Sequence, residues 1–231
     1  MGIMPAAILY VRKLLQIIVL PCLLTNSGFT SNIATGADVM RDLFTIISEI
    51  HKFDKSPVIV AVDGRSAAGK TTLSWELKKE LGCNVIHMDD FFLRPEQRTG
   101  ERLDEPGGNV DRERFIEEVM KPLKAGKAFS YRVFDCKSMT LTDSVHVEPR
   151  PVTVVEGAYS CHPDMWDDYN LRIFLNVEPG EQLRRIMLRN GEETAKMFCD
   201  RWIPLEEQYF AAYHIMERCD LCIDSDKGFW E

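Results

Sequence analysis

The stretch Pro57-Val58-Ile59-Val60-Ala61-Val62-Asp63-Gly64-Arg65-Ser66-Ala67-Ala68-Gly69-Lys70-Thr71-Thr72-Leu73-Ser74-Trp75-Glu76-Leu77 decides the fold. It opens on a short apolar, β-branched run, the pattern of a buried strand. Gly64 to Thr72 then match the pattern G-x-x-x-x-G-K-[ST] in full. From Thr72 to Leu81 the chain is amphipathic with helical spacing, and Gly82 is placed to stop it. Strand, glycine loop and helix follow one another in the order that phosphate binding needs, because loop N–H groups and a helix N-terminus together cradle a polyphosphate. Gly64, Arg65, Ser66, Ala67, Ala68, Gly69, Lys70, Thr71 and Thr72 are therefore expected to bind a nucleoside triphosphate. Within the motif, Lys70 reaches the β- and γ-phosphates and the Thr71 hydroxyl holds Mg²⁺.

Outward from the loop, the rest of the chain has the composition of a globular protein. Its 231 residues suit one α/β domain, with 45% hydrophobic and 28% charged residues. A net charge of -8 leaves no basic excess to neutralise phosphates, which argues against non-specific nucleic-acid binding. The seven cysteines lack the spacing of a disulfide framework and read as small buried hydrophobes of a reducing, cytoplasmic compartment. Cys219-Asp220-Leu221-Cys222 has no second pair for zinc and reads as core.

Residues 1–36 differ from the remainder. Leu14-Leu15-Gln16-Ile17-Ile18-Val19-Leu20-Pro21-Cys22-Leu23-Leu24 is strongly apolar and follows Arg12-Lys13. The run is short for a membrane span and is broken by Pro21. It is expected to be a non-catalytic extension, either an upstream start-site artefact with Met40 as the working start or a membrane anchor. The phosphate-loop domain is then expected over residues 37–231, with no membrane partner unless the segment is an anchor, and with a homo-oligomer left open.

Along that domain, helical spacing runs from Ala37 to Phe53 with apolar positions at Val39, Leu43, Ile46, Ile47 and Ile50. Asn84 to His87 reads as a second strand, ending at Met88-Asp89-Asp90. Arg94 to Val110 is polar and rich in Pro and Gly, the mark of a long functional loop. Asp111 can cap a helix from Arg112 to Leu123. The runs Phe129 to Phe134 and Ser144 to Val147 suggest a β-hairpin flap. Val152 to Gly157 and Leu171 to Val177 are further core strands, and Leu221-Cys222-Ile223 is a last short one. Helices are expected from Pro179 to Asn190 and from Pro204 onward. Strands alternating with helices imply a parallel sheet covered on both faces, with ligands at the strands' C-terminal ends.

Carboxylates for phosphoryl transfer belong just past strand ends in such a sheet. Asp89-Asp90 and Glu156 stand there. Val154-Val155-Glu156-Gly157 has the form of an acidic strand end that contacts Mg²⁺, or of a charged residue in solvent. Asp89 is placed to act as general base toward an acceptor hydroxyl, or as a turn or helix cap; Asp90 ranks behind it. His87 reads as a packed strand residue, and Cys161-His162 lacks a partner at metal-ligand spacing. Tyr209, Phe210 and Tyr213 have helical spacing and read as core, whereas Phe91 and Phe92 can either stack on an acceptor or pack.

Taken in order, Gly64 to Thr72, His87-Met88-Asp89-Asp90-Phe91-Phe92, Pro106-Gly107-Gly108-Asn109-Val110-Asp111, Phe134-Asp135 and Val155-Glu156-Gly157 resemble the uridine kinases, over about Ser56 to Asp224. Phosphoribulokinases and bacterial pantothenate kinases are relatives of that family. The resemblance implies a P-loop, nucleoside-kinase-like parallel sheet flanked by helices, with a hairpin flap and a helical lid. It implies a kinase that uses ATP or GTP with Mg²⁺, the acceptor being the 5′-hydroxyl of uridine or cytidine. By the same resemblance Asp89 is the catalytic acidic residue, Asp111 contacts sugar hydroxyls, Phe134 belongs to the acceptor site, and Glu156 is associated with the metal. Arg185 and Arg189, one helical turn apart, are the lid arginines that meet the phosphates.

The chain departs from the family at two places. Phe134-Asp135-Cys136-Lys137-Ser138-Met139 lacks the histidine that contacts the base, and Asn190-Gly191-Glu192-Glu193 stands where a second arginine pair is expected, leaving Arg201 as a substitute. Another small acceptor, pantothenate or a sugar phosphate, is therefore the alternative within kinases. A GTPase switch would carry an N-K-x-D motif, which the sequence does not contain. A nucleotide-binding regulatory module would have no need of Lys70, Thr71, Asp89 and Glu156 together.

Overall fold

The computed structural model describes residues 35–226. The apolar segment discussed above, with its alternatives of artefact or anchor, lies outside them, as do the last residues of the chain. No helix among the described residues is long and apolar enough to cross a membrane.

The apolar run before the glycine loop forms strand β1 (Val58–Gly64), buried along its whole length. A strand covered on both faces needs apolar residues at successive positions rather than alternate ones, which is what its sequence supplies. Its neighbours are β5 (Val152–Glu156) on one side and β6 (Leu171–Asn176) on the other; β2 (Asn84–His87) lies beyond β5, and β7 (Leu221–Asp224) beyond β6. All four pairings are parallel. The register sets Val62 beside Glu156 and Glu156 beside His87, so one edge of the sheet lines up the phosphate loop, an acid and an imidazole.

Side chains alternate across the sheet and divide the core in two. Val58, Val60 and Val62 pack with Leu43, Ile46 and Ile50 of helix α1 (Thr35–Ile50) and with Leu73 and Leu77 of helix α2 (Lys70–Leu81). Ile59 and Ala61 face the opposite cluster, with Met88, Phe91, Phe115, Phe174 and Tyr209. The Tyr209–Phe210 series is thus core, as its spacing suggests, and Phe91 is core too, its ring edge-on to Phe115 at 4.9 Å.

The hairpin flap is present as a separate antiparallel pair, β3 (Phe129–Asp135) and β4 (Thr140–Val147). The stretch 94–110 is more structured than its composition suggests. It contains a 3₁₀ turn at Pro95–Gln97 and a short helix, α3 (Gly100–Asp104), whose first turn is capped by Thr99 accepting from Arg102 N at 3.2 Å. Arg102 in turn donates to the carbonyls of Gly108 and Val110, each at 2.8 Å, tying the loop to itself. Elements this short leave no periodicity to detect.

The helix expected from Arg112 to Leu123 runs as α4 (Arg112–Phe115), a π-helical turn (Ile116–Met120) and α5 (Lys121–Lys124). The lid consists of α6 (Pro179–Asn190), α7 (Glu192–Met197), a π-helical turn (Phe198–Trp202) and α8 (Ile203–Tyr213), followed by α9 (Ile215–Arg218). The helix expected from Pro204 therefore begins one residue earlier and continues the lid without a break.

Candidate active site

The loop is built by close approach. A Cβ on Gly64 would sit 2.1 Å from the Leu175 carbonyl oxygen, so only glycine lets β1 turn out beside β6. Gly69, at φ 96°, ends the loop and starts α2. Lys70 folds back over the turn, its Nζ donating to the carbonyls of Gly64 at 2.7 Å and Arg65 at 2.9 Å.

Beneath the loop lies a residue to which the sequence assigned no role. The fully buried Asp63 accepts from Gly64 N at 2.7 Å and Tyr159 N at 3.2 Å through Oδ1, and from Cys161 N and Tyr209 OH, both at 2.9 Å, through Oδ2. Burial pushes its pKa up; the amides of Cys161 and Gly64, the Lys70 charge and the Tyr209 hydroxyl pull it back. Four donors converging on two oxygens are the arrangement an ionised carboxylate requires.

At the sheet's C-terminal edge, Thr71 Oγ1 lies 3.2 and 3.4 Å from the two carboxylate oxygens of Glu156. His87 is not simply packed: its Nδ1 stands 2.5 Å from Glu156 Oε1, which makes it part of the site. The carboxylate contact raises the His87 pKa against the effect of burial. Asp89 is exposed to the same space, with protein packed closely around it. Its pKa is raised, first by desolvation and then by the Glu156 charge, with Lys70 and His87 opposing. Gly157 permits this approach, since a Cβ there would meet Met88 Cβ at 2.9 Å and Asp89 Oδ1 at 3.4 Å. Asp90 turns away and accepts from Tyr131 OH at 3.1 Å.

The hydroxyl of Thr71 and the carboxylate of Glu156 are hard oxygen donors of the kind Mg²⁺ takes. Among the described residues no group of three or more His, Cys, Asp or Glu is arranged to hold a metal by itself. This donor set fits Mg²⁺ bound chiefly through nucleotide phosphates and water, with one or two protein groups assisting.

Loop, acids and lid share one cavity of about 1210 Å³, into which Ser66, Ala67, Gly69, Lys70, Thr71, Thr72, Asp89 and Glu156 all open. Phe92, Arg98, Asn109, Cys136 and Met139 form the wall beyond Asp89. Arg185 and Arg189 line the lid side. Arg185 is buried and held in place, donating to Glu181 Oε1 at 2.7 Å, Ser225 O at 2.6 Å and the loop carbonyl of Ala67 at 3.3 Å. Arg189 is exposed and donates to Asn190 Oδ1 at 2.7 Å. Arg201, also on the wall, has its guanidinium 4.8 Å from the Trp202 ring.

Two residues singled out in the sequence stand behind this wall rather than on it. Asp111 is 2% exposed; it caps α4 by accepting from Arg114 N at 3.2 Å and also accepts from Gln97 Nε2 at 2.9 Å. Phe134 is buried in β3 under the Arg98 guanidinium, 5.9 Å from its ring centre. Gly64, Arg65 and Ala68 shape the loop without lining the cavity, Arg65 being turned to a bidentate pairing with Glu207 at 2.7 and 3.0 Å. Beside that pairing, Glu206 accepts from Ser66 N at 3.0 Å and from the Ser66 hydroxyl. Nothing local in the sequence marks either glutamate.

No family model matches the chain. Among curated proteins it is 28% identical to the uridine kinase of Latilactobacillus sakei subsp. sakei (strain 23K) over 158 residues, 63% of this chain and 72% of that one. It is 28% identical to the uridine kinase of Limosilactobacillus reuteri (strain DSM 20016) over 135 residues, 54% of this chain and 58% of that one. Among solved structures it aligns with a "possible uridine kinase" from Bacillus stearothermophilus at TM-score 0.58 and 19% identity, over 80% of this chain and 99% of the other. At that identity the likeness concerns the fold alone, an α/β sheet with a phosphate loop, in agreement with the sheet and loop described above.

Proposed function

We propose that this chain, which belongs with the uridine kinase-like P-loop kinases, transfers the γ-phosphoryl group of ATP or GTP to a hydroxyl of a small acceptor, the 5′-hydroxyls of uridine and cytidine coming first. The observation that carries this is Asp89, a carboxylate of raised pKa opening onto the same cavity as a complete phosphate loop. A protein that only binds nucleotide has no use for a base so placed, which leaves a regulatory module the weaker alternative.

In this reaction the acceptor hydroxyl gives its proton to Asp89 while its oxygen bonds to the γ-phosphorus. The bond to the bridging oxygen breaks, and the nucleoside diphosphate leaves with that electron pair. Lys70 and the loop amides hold the phosphates, and Arg185, Arg189 and Arg201 supply positive charge from the lid. Thr71 and Glu156 would hold Mg²⁺, which when bound with the nucleotide neutralises charge on the phosphates. Asp111 and Phe134 support the acceptor side from behind, through Gln97 and Arg98. Its partners are then a nucleoside triphosphate and a small molecule in the cytoplasm.

One observation favours a second acceptor class. Cys136 and Met139 line the wall within the stretch where the uridine kinase pattern has its base-contacting histidine. That substitution keeps pantothenate and sugar phosphates in view. Release of ADP or GDP, measured with Mg²⁺ and each donor against a panel of nucleosides, pantothenate and sugar phosphates, tests both readings. Acceptor-dependent release is expected. Hydrolysis that proceeds at one rate whatever is added would contradict them.

A further inference from the structure

We infer that His87 is the positioning residue that sets the Glu156 carboxylate for the metal–nucleotide, a conclusion that rests on the phosphotransferase reading above. His87 ends β2 and Glu156 ends β5, and the two are register partners in a parallel pair. Register partners project to the same face of a sheet, so the backbone itself brings the imidazole and the carboxylate together. Their contact is close, with Nδ1 to Oε1 at 2.5 Å.

The Glu156 side chain is only 6% exposed, and a polar group so withdrawn from water needs hydrogen-bond partners in the protein to replace it. Among the described residues it has two hydrogen-bonding partners, Thr71 Oγ1 and His87 Nδ1. Thr71 is a residue the metal itself is expected to claim through its hydroxyl. Once that happens, His87 is what remains to hold the carboxylate in orientation. Outer partners of this type govern how well a ligand carboxylate is aimed, and losing one typically costs about 10–100-fold in metal affinity. His87 is not among the residues lining the cavity; it acts through Glu156.

Three variants test the assignment. His87→Ala removes the donor. His87→Asn puts an amide nitrogen on Cγ, where Nδ1 sits, and His87→Gln moves the donor one bond further out. The readout is the dissociation constant of ADP, measured by calorimetry first with EDTA and then across a Mg²⁺ titration, alongside kcat. In His87→Ala the half-saturating Mg²⁺ concentration is expected to rise about 10–100-fold, with ADP affinity in EDTA unchanged. His87→Asn should recover most of the loss and His87→Gln little of it. An unchanged Mg²⁺ requirement in His87→Ala would overturn the inference, and so would an equal loss of ADP affinity in EDTA, which marks a purely structural role. ADP binding by the native protein that ignores Mg²⁺ would overturn the phosphotransferase reading together with it.

Discussion

Glu206 of the lid helix accepts a hydrogen bond from the backbone N–H of Ser66 in the phosphate loop, at 3.0 Å and across 140 residues of chain. The carboxylate is 4% exposed, and its neighbour Glu207 grips Arg65 of the same loop. Helix α8 thus holds the loop's first turn through the Arg65–Glu207 pair and the contacts of Glu206 with the Ser66 amide and hydroxyl. Loop amides of this kind are the groups that cradle a polyphosphate. Burial raises the Glu206 pKa, and the Lys70 charge lowers it most among the opposing influences.

A carboxylate held there would share Lys70 and a loop amide with phosphates bound as proposed above. Replacing Glu206 by Gln keeps an acceptor for Ser66 and removes the charge. ADP should bind the variant more tightly, by about 1–2 kcal/mol, the order of a charge interaction in a partly screened site. Calorimetric titration of both proteins checks it. Weaker binding in Glu206→Gln would mean that the charge is needed to shape the loop.

Asp89→Asn should lose turnover about 10²–10⁴-fold with nucleotide affinity little changed, because an amide hydrogen-bonds an acceptor hydroxyl but cannot take its proton. Asp90→Asn should be much milder, since Asp90 is engaged with Tyr131 and not with the cavity. Steady-state kinetics and nucleotide titration of the pair separate the roles. A crippled Asp90→Asn beside an active Asp89→Asn would reverse the assignment.

Asp111 offers a contest between cap and contact. Its burial and its bonds to Arg114 N and Gln97 lead to the expectation that Asp111→Ala loses about 1–2 kcal/mol of stability through the cap. Acceptor KM should follow only as far as the loop around Gln97 loosens. Thermal denaturation with KM for both substrates decides between them. A large rise in acceptor KM at unchanged melting temperature would instead restore a direct sugar contact.

His162 gives stability a pH dependence of known sign. Burial, followed by the Arg112 charge, lowers its pKa from 6.5 to about 4, so the folded protein keeps it neutral. Its Nδ1 accepts from Asp164 N at 3.2 Å, and its Nε2 is buried without a partner. Between pH 6.5 and about 4 the unfolded chain binds a proton that the folded one does not. This contribution to stability is complete above the upper value and lost as pH falls toward the lower, by up to about 3 kcal/mol. Denaturant melts of the native protein and His162→Asn, compared from pH 7.5 to 4.5, should show the native protein losing ground to the variant as pH falls. Parallel curves would count against it.

Much of the site was legible because its parts adjoin their own strands. The loop follows β1, Asp89 follows β2 and Glu156 ends β5, and each is marked by the apolar run beside it. His87, Asp63 and Glu206 were not legible, because their meaning lies in partners 69, 98 and 140 residues away. A histidine in an apolar strand reads as packing until strand order sets β2 beside β5. The hairpin and the sheet were visible in their alternation and apolar runs, whereas α3 was too short to leave a period. Asp111 shows the reverse limit: its position in the family pattern suggested a contact, and only packing revealed that it is buried with Arg114 N and Gln97 as partners.

The most direct test of phosphoryl transfer follows the label from γ-³²P ATP and GTP, with Mg²⁺ and the acceptor panel, in the native protein and in Lys70→Ala. The native protein is expected to move label into a phosphomonoester of one acceptor. Lys70→Ala, stripped of the cation over the transferring group, should do so about 10²–10³-fold more slowly while melting at the native temperature. Label appearing only as inorganic phosphate, or transfer at an unchanged rate in Lys70→Ala, would contradict the assignment of this cavity as a kinase active site.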